Sequence, residues 1–162
     1  MDGRLRPLPL PWQLSPSMGG LTLTAGEEQE TVVAALARLL PDGRLEAVEV
    51  CFVGSGWALV APHDGRDPLP ATRFDWSGVP GAQRPGEAQA EWFARLDALA
   101  AAEGLHPLPD VYEVEDSAWL KALGVRGLRH FVFAGHDRRI DVIARGFTWR
   151  SLGPPRGADG HS

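Results

Sequence analysis

The stretch Leu128 to Trp149, LRHFVFAGHDRRIDVIARGFTW, constrains this chain more than any other, because runs of β-branched and aromatic residues flank a Gly-His-Asp-Arg turn. Pairing around Gly135-His136-Asp137-Arg138 sets Phe133 opposite Ile140 and Phe131 opposite Val142. Phe131, Phe133, Ile140, Val142 and Ala144 then share one face, and His130, Val132, Arg139, Asp141, Ile143 and Arg145 the other. An apolar hairpin face must be covered by a second layer. The expected class is therefore α+β, an antiparallel or mixed sheet of about five to six strands with two main helices packed on one face.

Upstream, Thr24 followed by Glu27 is a capping-box pattern, and Val32, Leu36, Leu39 and Leu40 form an apolar stripe, which predicts a helix ended by Pro41-Asp42-Gly43. A hairpin is expected next, Leu45 to Val53 with Trp57 to Ala61, joined through Gly54-Ser55-Gly56. The second long helix runs from Gly86 to Glu103 and turns Trp92, Phe93, Leu96, Leu99 and Ala100 toward a core. Val111 to Val114 reads as a strand and Ser117 to Leu123 as a short helix capped by Asp116 or Ser117 and stopped by Gly124. In this reading the domain consists of two helix-plus-hairpin units. The shared pattern A-x-H-D-x-R at Ala61 to Arg66 and at Ala134 to Arg139 fits such a duplication.

A length of 162 residues is that of one ordinary domain. Residues 1–20, interrupted by Pro7, Pro9, Pro11 and Pro16, read as a proline-rich extended segment, residues 21–152 as a single α+β domain, and residues 153–162 as a disordered tail. The proline- and glycine-rich connection from Pro62 to Pro85 is long for a compact domain, as functional loops often are. No run approaches the roughly 18 apolar residues of a membrane span, and the prolines near the start exclude a secretory signal core. The single cysteine, Cys51, forms no internal disulfide, which favours a cytoplasmic location. Residues 1–125 carry nine basic and eighteen acidic groups, whereas 126–162 carry seven and three. An acidic body argues against general nucleic-acid binding, which depends on neutralising phosphates.

Candidate chemistry is sparse. His63-Asp64 and His136-Asp137 are potential metal-ligand or general-base pairs, yet adjacent side chains in an extended segment point apart, and Asp is common in turns. No zinc spacing is present, so neither a metal nor another cofactor is expected. His130 and Asp141 share the polar face of the closing hairpin on a diagonal, within reach of each other. His130, His136, Asp137 and Asp141 are therefore the catalytic candidates. Asp110-Val111-Tyr112-Glu113-Val114-Glu115-Asp116 places an acidic face beside an aromatic one, and Asp110, Tyr112, Glu113 and Glu115, with Trp76 from the long loop, are the candidate partner-binding residues. Internal pairing of Glu113 and Glu115 with Arg129 or Arg145 is the competing role.

No assembled catalytic set is visible, so the expected function is protein–protein association, as an inhibitor or immunity-like module or a self-associating subunit. The alternatives are a small metal-dependent hydrolase using the His-Asp turns and a small-molecule-binding fold with Trp76 and Trp149 lining an apolar pocket.

Overall fold

A computed structural model describes residues 1–15, 20–26, 29–62, 67–136 and 138–156. The chain is α+β and rich in strand: β1 (Gly3–Pro7), β2 (Trp12–Leu14), β3 (Thr22–Gly26), β4 (Gln29–Leu39), β5 (Leu45–Val53), β6 (Trp57–Pro62), β7 (Phe74–Asp75), α1 (Gln89–Glu103), β8 (Val111–Glu115), α2 (Ala118–Leu123), β9 (Arg129–Ala134), β10 (Arg138–Ala144) and β11 (Gly146–Gly153). A mixed six-stranded sheet in the order β6-β10-β9-β8-β1-β7 packs on a five-stranded sheet in which β11-β5-β4-β2 is extended by β3 beside β4. No helix among the described residues is long and apolar enough to cross a membrane.

The closing hairpin has the register its alternation predicts, with Phe133 opposite Ile140, Phe131 opposite Val142 and His130 opposite Ile143. Its apolar face meets Val33, Val48, Val50 and Phe52 of the second sheet, and Phe52 touches both Phe131 and Phe133 at ring-centroid distances of 5.4 and 5.9 Å. Two sheets, rather than helices on a sheet, thus enclose the main core.

Residues 24–40, expected as a helix, instead form β3 and β4. From Val32 to Ala37 every residue is apolar, a run that satisfies a period of two as well as a helical one. Pairing with β5 along Thr31–Arg38 decides between them: Thr31, Val33, Ala35 and Ala37 turn into the core, while Val32, Ala34 and Leu36 face outward. No helix precedes β5 among the described residues, so the first helix-plus-hairpin unit is absent.

β5 and β6 do not form a hairpin either. β6 pairs with β10 and β5 with β11, and the ladder continues between them through Gly56 N–H to the Ile143 carbonyl and Arg145 N–H to the Val53 carbonyl, both at 2.9 Å. Residues 45–62 and 138–153 are thus two long strands that bend together and carry one ribbon from the first sheet into the second. Gly54, at a φ of 60°, sits at the bend against the Arg145 side chain. The Gly-Ser-Gly segment turns a corner where a hairpin loop was expected.

The N-terminal segment is built into both sheets. Prolines 7, 9 and 11 alternate with Leu8, Leu10 and Trp12, all buried in the inter-sheet core, while Leu5 enters a second core on the outer face of the six-stranded sheet. That second core is closed by residues 67–82, whose Leu69, Phe74 and Val79 lie over Tyr112, Val114 and Val132. The long proline-rich connection is therefore a cover. Helix α1, expected to face the core, buries no residue. Arg95 holds it to the cover through the carbonyls of Pro80 and Ala82 and through Glu87, and the Trp92 indole N–H donates to the Gly81 carbonyl at 2.7 Å.

Candidate functional site

The polar face of the closing hairpin holds a hydrogen-bonded chain that begins at α2. Ser117 caps this short helix by accepting from Leu120 N–H at 3.2 Å. Its Oγ lies 2.8 Å from His130 Nδ1, and His130 Nε2 lies 2.7 Å from Asp141 Oδ1. Arg139 closes the chain by donating to both Asp141 oxygens at 2.7 and 2.6 Å. The arrangement is satisfied throughout when Ser117 donates to Nδ1 and Nε2–H donates to Asp141. Burial raises a carboxyl pKa, but the bonds from His130 and Arg139 outweigh it and hold Asp141 below the usual carboxylate range.

Serine, histidine and aspartate in series resemble the parts of a nucleophilic site, yet all three are closed off. Ser117, His130 and Asp141 are only 2–3 % exposed, and the Trp119 ring stands edge-on to His130 at 5.4 Å. A substrate would have to displace α2 to reach the hydroxyl. The set fastens α2 to the sheet. Ser117 was legible as an N-cap but not as a partner of His130, because the antiparallel β8–β9 pairing that brings the two together is a tertiary event.

The acidic strip of β8 is largely spent inside the sheet. Glu113 accepts from Arg129 at 2.9 and 2.7 Å and from Arg6, and Glu115 accepts from Arg4 at 2.9 and 2.5 Å. Arg129, opposed by burial and assisted by Arg6, keeps the Glu113 carboxyl below its ordinary value. Arg4 and Arg6 are the direct cross-strand partners of Glu115 and Glu113, so the matched spacings Arg-x-Arg and Glu-x-Glu were the signal for this ladder. Tyr112 is fully buried, and Trp76 stands edge-on to it at 5.6 Å while donating its indole N–H to the Leu69 carbonyl. Glu113 is therefore buried in its ion pairs, Glu115 stays half-buried beside Arg4, and Tyr112 and Trp76 close the second core. Asp110 is at its rim, where burial and the nearby Asp67 push its carboxyl up to about 7.

His136 is exposed at the tip of the closing hairpin. His63, Asp64 and Asp137 lie outside the described residues. Pro62, just before the first pair, is the cross-strand partner of Arg138, just after the second. Among the described residues no group of three or more His, Cys, Asp or Glu side chains is placed to hold a metal. Trp149 packs on Trp12 between the sheets, whereas Trp76 packs on the opposite face of the six-stranded sheet, so the two tryptophans line no common pocket.

The remaining feature is a sheet edge. β6 ends the six-stranded sheet, and no charged residue occurs from Val53 to Ala61. Trp57, Leu59 and Val60 are 40, 51 and 40 % exposed, the first two on the His130 side of the sheet and the third on the side of Ile140. The other edges differ: β7 and β2 have two and three residues, β3 is uncharged like β6 but has a register shift between Thr24 and Gly26, and β11 carries Arg150, paired with Glu49, and a register shift near Ser151. Those are usual protections of a strand edge; β6 carries no charge and no register shift in its pairing with β10, and its one such feature is Pro62 at its end. The chain shows no significant match to a protein-family model, a curated protein or a solved structure.

Proposed function

We propose that this domain works by protein–protein association, with strand β6 as the contact. The observation that carries the reading is the uncharged edge itself, where an exposed tryptophan, leucine and valine adjoin a backbone with no strand on its outer side among the described residues. Trp57 and Leu59 lie two residues apart on one side of this strand and Val60 on the other, so a strand added at the edge would cover apolar side chains on both sides. Closure of the Ser117–His130–Asp141 chain supports the same reading, since that polar set is used to hold the scaffold that presents the edge.

The test is strand addition. A short extended peptide of alternating valine and threonine, capped with lysines for solubility, is titrated into labelled protein while amide resonances are followed. The expected result is saturable movement of residues 57–61 and of their β10 neighbours, absent in Leu59→Lys. Movement confined to other elements, or none, would contradict the reading.

A further inference from the structure

Helix α1 buries no residue, yet one of its faces stands over a hollow, and we infer that this hollow binds a small organic cation with an apolar body, of the arylalkylammonium class. The cleft holds about 530 Å³, a volume in the range of small-molecule sites. Asp97, Ala100, Ala101 and Gly104, spaced by three and four residues, form one wall, and Pro11, Leu40 and Pro41 form the other. Apart from Asp97 and Leu40, none of these residues has a side-chain rotamer that could swing in and fill the gap. Both walls are also anchored. Arg95 and Trp92 hold α1 to the cover, while Pro11 is set between Leu10 and Trp12 in the main core and its carbonyl accepts the Leu40 N–H at 2.9 Å. The cleft is therefore preformed, and a ligand need not order it on binding. It is lined by no residue of β6, so it is separate from the contact proposed above.

Charge selects the class of ligand. Asp97 is the one charged residue in the lining; it is exposed and pairs with no cation among the described residues. The same wall ends in the C-terminus of a 15-residue helix, whose last carbonyls carry partial negative charge. Gly104 N–H caps the Ala100 carbonyl, but no basic side chain lies in the last turn, and Glu103 adds a negative charge there. An anion is repelled by this field, and a neutral apolar ligand would cover the Asp97 carboxylate without replacing its water. An ammonium on an apolar body meets both demands, since the cation donates to Asp97 while the body lies against the prolines and alanines.

Amide resonances of the full chain, followed while phenethylamine is titrated in at neutral pH, test this. Residues 97–104 and Leu40 should move saturably. Phenethyl alcohol, of the same size without the charge, should bind about fivefold more weakly, the worth of an exposed ion pair, and hydrocinnamate more weakly still. Asp97→Asn should lower the affinity for the amine to that for the alcohol and leave the alcohol unaffected. Ala101→Leu, which fills the cleft from an exposed helical position, should abolish the binding of both, and circular dichroism checks that each variant is folded. No saturable movement of these residues, equal affinity for amine and alcohol, amine binding indifferent to Asp97→Asn, or binding that survives Ala101→Leu would each overturn the proposal.

Discussion

Asp141 Oδ1 lies 2.7 Å from His130 Nε2, and this bond joins adjacent strands of the closing hairpin beneath α2. Replacing Asp141 by Asn keeps the volume but leaves Arg139 without its anion. The expected cost is about 3 kcal/mol near neutral pH, read from urea unfolding. Because the folded-state pKa is depressed, the carboxylate's contribution is complete above the ordinary carboxylate range and is lost as pH falls through the lower folded value. The gap between wild type and Asp141→Asn should therefore narrow below roughly pH 4.

Asp110 works in the opposite sense. Burial and Asp67 raise its carboxyl to about 7, so the fold disfavours the charged form. Below the ordinary value, roughly pH 4, folded and unfolded chains are both protonated and there is no penalty; as pH rises toward 7 the penalty grows. Asp110→Asn should stabilise the chain at pH 8, by at most about 4 kcal/mol, and leave it unchanged near pH 4. Asparagine also tolerates the positive φ of 58° at this position, so charge alone is tested. Unfolding curves at the two pH values decide it.

The cover over the second core depends on a close approach. A methyl group at Gly78 would overlap the Leu5 carbonyl oxygen, a backbone atom in the middle of β1. Gly78→Ala should destabilise the chain by about 1–3 kcal/mol in denaturant unfolding, because either the strand or the cover must shift.

Helix α1 is hydrogen-bonded to the cover through Arg95 and Trp92 and buries no residue. Arg95→Ala should accelerate hydrogen exchange of residues 89–103 and leave the amides of Phe131 to Phe133 unchanged. Loss of protection in both segments would mean that the helix stabilises the sheets, contrary to its exposure.

These outcomes depend on elements that differ in how openly the sequence declares them. The closing hairpin was legible to the register, because polar and apolar residues alternate on both sides of a glycine turn and only one phase buries the phenylalanines. β4 was not, because Val32 to Ala37 is apolar at every position and only its pairing with β5 selects a strand. The corner at Gly54–Gly56 was hidden for a related reason: glycine permits a reversal and a bend alike, and which occurs depends on β10 and β11. Burial in residues 8–14 was present as a period of two, obscured by prolines that were read only as breakers. At the candidate site, the His130–Asp141 diagonal followed from the register, whereas Ser117 and Arg139 completed it through tertiary placement and a local turn of the side chain. Tyr112 and Trp76 looked like surface aromatics because nothing local announces that residues 67–82 fold over β8.

The central claim is that β6 is the contact, and residue-resolved hydrogen exchange with increasing amounts of the valine–threonine peptide tests it most directly. The account predicts that amides within 57–61 slow as peptide is added, that those of α1 do not, and that Leu59→Lys abolishes the effect. Exchange at 57–61 that is the same at every peptide concentration, or protection that builds on α1 instead, would contradict it.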